Sequence, residues 1–267
     1  MVVTDSPSPH KHSPRPRFSL LLPYSTTTQW TTHHKTFNIM TSLLYGSVDY
    51  WDNRYSSSTN DNNEAFEWLL NYSDIRHLLS TKYCGNAVAQ AKNCRVLIAG
   101  CGTSQVGEAM LSDGFQKITN IDFSSILIDQ MKEKYTDEWH TNLFANLRHE
   151  RKLGEDDASN TQPPQKMIFE VMDLTKKLKF ANDTFDLIVC KGTLDAVLCC
   201  TKNAECKIKC TMNECHRVLS SADQRGVMMI ISYGEPEYRL NLFDTNQWEV
   251  KTYTVPKPIV QGDEIGG

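Results

Sequence analysis

The sequence predicts an α/β fold, a mostly parallel central sheet flanked by helices. Three observations carry that expectation. Short apolar runs alternate with amphipathic stretches from Val96 onward. One unit, Val96 to Asp122, reads as strand, glycine turn, helix and strand. Gly100, Asp122, Asp173 and Lys191 all fall at the C-terminal ends of the apolar runs, where open parallel sheets hold their ligands. The 267 residues, 40% of them hydrophobic, suffice for one such domain with a buried core.

The chain begins with an unpromising segment. Residues 1–39 carry Pro7, Pro9, Pro14, Pro16 and Pro23, many Ser and Thr, and no sustained periodicity. Such a composition buries little apolar surface and is expected to form a disordered tail. It is also acid-poor and basic, as transit peptides are, which leaves mitochondrial targeting open. A third reading puts the true start at Met40. The domain is expected to span 40–267.

The character changes after Ser42. Tyr50 to Tyr55, YWDNRY, is dense in aromatic and charged residues. Phe66, Leu69 and Leu70 mark one expected short helix. Ser73 is placed to cap another, with Ile75, Leu78 and Leu79 inward. Lying ahead of the first core strand, these helices could lid a pocket or simply flank the sheet.

Val96-Leu97-Ile98-Ala99 is the first core strand, and Gly100-Cys101-Gly102 the turn. Ser104 opens a helix with Val106, Ala109 and Met110 on one side, and Gly114 closes it. Lys117 to Ile121 is the next strand, ending on Asp122. Glycine lets a ligand approach the backbone at a helix N-terminus. An acid about 20 residues later stands where a ribose offers hydroxyls. The dinucleotide fingerprint G-x-G-x-x-G is not met, because Gln105 occupies the third glycine position. A nucleoside cofactor without a pyrophosphate fits better, and S-adenosylmethionine is such a cofactor.

Ser124 then starts a helix bearing Leu127, Ile128, Met131 and Tyr135. The polar stretch Asn146 to Lys166, with Pro163-Pro164, reads as a surface insertion. Met167 to Met172 and Phe185 to Cys190 are the third and fourth strands. A helix over 203–219 leads to a fifth strand, Val227 to Ile231, and Trp248 to Val255 is a sixth. No strand-like run follows.

Composition excludes several functions. Net charge of −4 gives no electrostatic footprint for nucleic acid. No apolar run reaches the roughly 18 residues a membrane span needs. The nine cysteines are scattered and odd in number, which suits reduced thiols and a cytoplasmic protein better than a disulfide framework. Cys199, Cys200, Cys206, Cys210, Cys215 and His216 cluster in sequence but contain no C-x-x-C pair, so no metal is expected.

Several motifs together are similar to a known family. GCGTS at Gly100 to Ser104, NIDFSS at Asn120 to Ser125, MDLTKKLKF at Met172 to Phe180 and FDLIVCKGTLDAVL at Phe185 to Leu198 resemble class I S-adenosylmethionine-dependent methyltransferases of Rossmann-like fold. YWDNRY, FEWLL and ISYGEPEYR narrow the resemblance to the group of methyltransferase-like protein 13 and elongation factor 1-alpha lysine methyltransferase 4, a group related to the endothelin-converting enzyme 2 methyltransferase region. The resemblance implies a protein-lysine N-methyltransferase using S-adenosyl-L-methionine on a protein substrate, elongation factor 1-alpha. It implies that Gly100 and Gly102 form the turn under the methionine part. Asp122 would hold the ribose, with Phe123 beside the adenine and Asp173 and Leu174 at the adenine edge. Lys191 would line the pocket, and Trp51, Tyr55 and Trp68 would close over it. Asp195 is the catalytic candidate, orienting the acceptor amine; a plain helix-start acid is the alternative. Removing the Asp122 carboxylate is expected to cost affinity and leave the fold intact. Family members usually return with a seventh, antiparallel strand, so this sheet is expected to lack its last strand. A small-molecule acceptor, or a silent cofactor-fold module that binds a partner, remain the other readings, and the oligomeric state is open.

Overall fold

The computed structural model describes residues 17–25 (backbone only), 44–57, 67–80, 91, 93–150, 166–200, 202–221 and 226–256. In chain order the elements are β1 (Arg17–Ser25), α1 (Val48–Ser57), α2 (Tyr72–Leu79), β2 (Arg95–Ala99), α3 (Val106–Ser112), β3 (Lys117–Asp122), α4 (Ser125–Lys134), α5 (Asp137–Glu150), β4 (Ile168–Val171), β5 (Leu187–Lys191), α6 (Thr193–Leu198), α7 (Ala204–Val218), β6 (Val227–Ser232), β7 (Trp248–Thr252) and β8 (Val255–Pro256). Seven strands lie side by side in the order β4-β3-β2-β5-β6-β1-β7, with β8 continuing beside β1. Every named pairing is parallel.

A parallel sheet must be covered on both faces, and alternate residues of each strand serve opposite faces. Val96, Ile98, Ile118, Leu187, Val189, Met229 and Ile231 join one core with α1 to α4. Leu97, Ala99, Ile121, Ile188, Cys190, Met228 and Ile230 join the other with α6 and α7. All six residues of β6 are buried, which is why its sequence VMMIIS shows no polar alternation.

Strand β1 is the main departure from expectation. Its nine residues, assigned by composition to a tail, lie inside the sheet. Phe18 to Pro23 pair with Val227 to Ser232, and Arg17 to Leu21 pair with Trp248 to Thr252. The run RFSLLLPYS is a sufficient apolar strand despite its Pro-rich neighbours, and Pro23 falls between Leu21, the last residue paired with β7, and Tyr24, the first paired with β8. The sheet therefore gains a strand from before the core. Residues 1–16, 26–39 and 259–267 lie outside the described residues, as do most of the expected insertion and the choice of Met40 as start.

Smaller corrections follow local chemistry. Asn71, not Ser73, caps α2, in a reciprocal capping box with Asp74. Glu67 to Leu70 form no helix, and Leu69 takes a φ of 65°. Helix α5 was not expected, and its C-terminal residues fall in the stretch read as insertion. Ser124 caps α4 as expected, accepting from the Leu127 N–H.

Candidate active site

The turn after β2 sets the floor of the site. Gly100 and Gly102 take φ values of 70° and 52°, and the Gly100 and Cys101 N–H groups donate to the Ile121 carbonyl at 2.8 and 2.9 Å. A Cβ at Gly100 would stand 2.2 Å from the Thr193 hydroxyl, so only glycine lets α6 pack against the turn. Thr193 in turn donates to the Ala99 carbonyl at 2.9 Å.

Asp122 ends the adjacent strand and is 7% exposed. Its carboxylate accepts from the Gly102 N–H at 3.1 Å and the Ser124 N–H at 3.0 Å. Burial pushes the carboxyl up to about 6, against the pull of these N–H donors. Phe123 lines the same cavity. Asp173 and Leu174 line it from the end of β4. Asp173 also organises its own turn, accepting from the Thr175 N–H at 2.9 Å and hydroxyl at 2.7 Å. Burial works to raise its carboxyl, but Thr175 and Lys176 hold it below the ordinary value. The turn-capping alternative for Asp173 is thus present alongside its place on the wall.

Lys191 is buried at the end of β5. Its ammonium is paired with Glu67 and donates to the Trp68 carbonyl at 2.8 Å. Burial lowers its pKa, opposed by the Glu67 charge. Glu67 also accepts from the Ser104 hydroxyl at 2.7 Å and the Gln105 N–H at 2.9 Å. It therefore ties the FEWLL segment to both the glycine turn and the fourth core strand. Sequence reading took Trp68 from that motif and missed Glu67, although a carboxylate beside an aromatic pair was visible there. Glu67→Ala should cost about 3–5 kcal/mol of stability, because it strands a buried ammonium. The double variant Glu67→Gln, Lys191→Met should recover most of it in thermal unfolding.

The aromatic residues form the roof. Trp51 stacks on Tyr55 with ring centres 5.7 Å apart and meets Trp68 edge-on at 6.2 Å. The Arg54 guanidinium lies 5.9 Å from the Trp51 ring and 5.5 Å from the Trp68 ring. Burial also raises the Tyr55 phenol, keeping it neutral. Helix α1 is fastened down by Asp52, which accepts from the Ser124 hydroxyl at 2.5 Å, and by Gln130, which donates to the Tyr55 carbonyl at 3.2 Å. Gly46 packs so closely on the chain just after α6 that a Cβ there would meet the Cys200 sulfur at 2.5 Å. Trp51 and Tyr55 both line the cavity and pack against the core beneath it. Trp51→Ala should weaken cofactor binding about tenfold in a calorimetric titration, through the lost stacking and the entry of water.

Trp51, Tyr55, Trp68, Gly100, Gly102, Asp122, Phe123, Asp173, Leu174, Lys191 and Asp195 all line one cavity of about 470 Å³, within the range of small-molecule sites. Asp195 differs from its expected role. Its oxygens already accept from the Ser232 hydroxyl at 2.6 Å, the Tyr233 N–H at 2.9 Å and the Arg239 guanidinium at 2.9 Å. It fastens a loop and does not present an unengaged carboxylate to an amine. Of the clustered cysteines, Cys215 is buried, while Cys206 and Cys210 are exposed and interact with each other. Among the described residues no group of three or more His, Cys, Asp or Glu converges as metal ligands.

The residues fit an adenosyl cofactor. The glycine turn leaves backbone open to close approach, Asp122 offers a buried acceptor for ribose hydroxyls, and the roof is apolar. A family model described as methyltransferase domain matches residues 97–222. A Bos taurus protein named eEF1A lysine and N-terminal methyltransferase is 32% identical over 158 residues, 59% of this chain and 17% of the relative. A Mus musculus protein named EEF1A lysine methyltransferase 4 is 27% identical over 157 residues, 59% of this chain and 48% of the relative. The chain thus spans less than half the length of either relative. A solved S-adenosylmethionine-dependent methyltransferase from Methanosarcina mazei is 22% identical, covering 48% of this chain and 49% of that one, with a TM-score of 0.34. The stretch that builds the cavity floor and most of its walls, residues 97–222, is the part of the chain similar to the methyltransferase domain family, and that similarity implies S-adenosylmethionine as its cofactor.

Proposed function

We propose that the protein is an S-adenosylmethionine-dependent protein-lysine N-methyltransferase acting on elongation factor 1-alpha. The observation that carries this reading is the single cavity, floored by the glycine turn and Asp122 and roofed by Trp51, Tyr55 and Trp68. The substrate class is supported by the names of the similar proteins, two of which refer to eEF1A lysine.

The bound cofactor supplies an electrophilic methyl group for in-line displacement. What the protein adds is position and dryness. Asp122 would hold the ribose hydroxyls, while Gly100 and Gly102 let the cofactor lie against the backbone. The Glu67–Lys191 pair holds Trp68 and the glycine turn in register beside the cavity. The aromatic roof excludes water, which strengthens each polar contact beneath it. An acceptor lysine must arrive without its proton. Burial in an apolar cavity lowers an ammonium pKa, the direction burial already imposes on Lys191. Free thiols at all eight described cysteines support a reducing compartment, and we place the protein in the cytoplasm.

The test is incubation with isotopically labelled S-adenosylmethionine and recombinant elongation factor 1-alpha, followed by mass spectrometry. Label on a lysine is the expected result. Label only on small thiols or amines, with every protein silent, would overturn the substrate class.

A further inference from the structure

The motif ISYGEPEYR, Ile231 to Arg239, is not used by the cofactor reading, yet its residues build a fastened loop. Ser232 donates its hydroxyl to Asp195 at 2.6 Å and accepts from the Gly234 N–H at 3.1 Å and the Arg239 Nε at 3.0 Å. Arg239 completes the loop by pairing with Asp195 at 2.9 Å. Gly234 is required by that closure: a Cβ there would stand 2.2 Å from the guanidinium carbon. Pro236 opens the short 3₁₀ turn Pro236–Tyr238. Ser232 and Arg239 are thus turned inward onto Asp195, while Tyr233, Glu235, Glu237 and Tyr238 face out.

Those outward side chains have a distinct chemistry. Tyr233, Tyr238 and Leu240 are 44%, 71% and 43% exposed. Glu235, Glu237 and Asp244 are exposed among them. The one cation between Tyr233 and Gln247 is Arg239, which is held by Asp195. Tyr233, Asp195 and Arg239 also line the cavity. With Asp122 and Asp173 at the ends of β3 and β4, the nucleoside lies toward one side of that cavity. The Asp195–Arg239 wall borders it at the end of β6, on the other side of β2 and β5. In-line displacement brings the acceptor to the methyl group opposite its leaving sulfur, so the acceptor needs an entry of its own.

We propose that the loop Tyr233 to Leu242 is the docking surface for the protein acceptor, and that the Asp195–Arg239 pair is the positioning device that holds it at the cavity mouth. The occupant is a basic segment bearing the target lysine, since the carboxylates repel acidic partners and attract cations, and the tyrosines accept cations on the ring face. This rests on the protein-lysine reading above.

Steady-state kinetics with recombinant elongation factor 1-alpha at saturating S-adenosylmethionine tests it. Tyr238→Ala should raise KM for the protein at least fivefold, with kcat within twofold and unchanged affinity for S-adenosylhomocysteine. Tyr238→Phe should restore KM. Glu235→Lys with Glu237→Lys should raise KM further, and added salt should shrink that difference. Arg239→Met should raise KM and lower kcat, with partial rescue by Arg239→Lys. If wild type methylates the factor while Tyr238→Ala and the lysine pair leave KM unchanged, the docking surface is refuted and the lysine reading stands. A change in oligomeric state with unchanged KM would assign the loop to self-association and equally refute it. If wild type modifies only small acceptors, the lysine reading fails and the inference falls with it.

Discussion

Removing residues 1–39 is expected to abolish soluble folding, or to lower stability by about 5 kcal/mol, a large part of the roughly 5–15 kcal/mol that a folded domain possesses. Strand β1 pairs with β6 along six residues and with β7 along five. Without it, two parallel ladders are lost and the wholly buried β6 becomes an apolar edge, the kind that recruits other chains. A variant beginning at Met40 should therefore aggregate or melt early. Circular dichroism melting and size-exclusion chromatography of both forms decide it. Equal melting temperatures would mean that β1 adds no stability to the sheet. This reverses the expectation from composition, under which the same variant would fold normally.

The second large effect concerns Asp122. Asp122→Ala should weaken binding of S-adenosylhomocysteine by about 10- to 150-fold, the value of hydrogen bonds to a charged acceptor. It should also destabilise the fold, because the Gly102 and Ser124 N–H groups both lose their acceptor in a buried site. The expectation that only affinity would suffer ignored these donors. A pH dependence follows as well. The carboxyl sits at about 6 when folded, above the ordinary 3.8, so the folded state binds its proton more tightly than the unfolded chain does. The stability this contributes is complete below about pH 4 and is lost as pH rises through 6. Ribose hydroxyls donate best to the ionised form, so affinity should move the other way. It should rise between pH 5 and 7, by up to about tenfold per pH unit below 6. Flat affinity across that range would show that Asp122 does not meet the ligand through its charge.

The centre of the molecule was legible because its signals are local. Strand β2, the glycine turn, α3 and β3 follow one another within Arg95–Asp122, and each carries its own signature in apolar run, glycine or cap. The strand-end placement of Asp122, Asp173 and Lys191 then converged on one cavity, as the topology requires. What was not legible depends on partners far away in the chain. The pairing of Phe18 with Val227 cannot be inferred from a Pro-rich neighbourhood. Helix α5 presents a thin, half-buried stripe, Trp139 and Leu143, in an otherwise polar run. Glu67 and Asp195 were visible as carboxylates, but their roles are set by Lys191, Ser104, Ser232 and Arg239. A sequence shows a charge; only the fold shows what has already neutralised it.

The most direct test of the cofactor site is a calorimetric titration of the wild-type chain with S-adenosylhomocysteine and, separately, with NAD. The turn lacks the third glycine of dinucleotide sites, with Gln105 in its place. The expected result is saturable one-site binding of S-adenosylhomocysteine, weakened in Asp122→Ala, and no heat from NAD. Saturable binding of NAD with no response to S-adenosylhomocysteine would contradict the account.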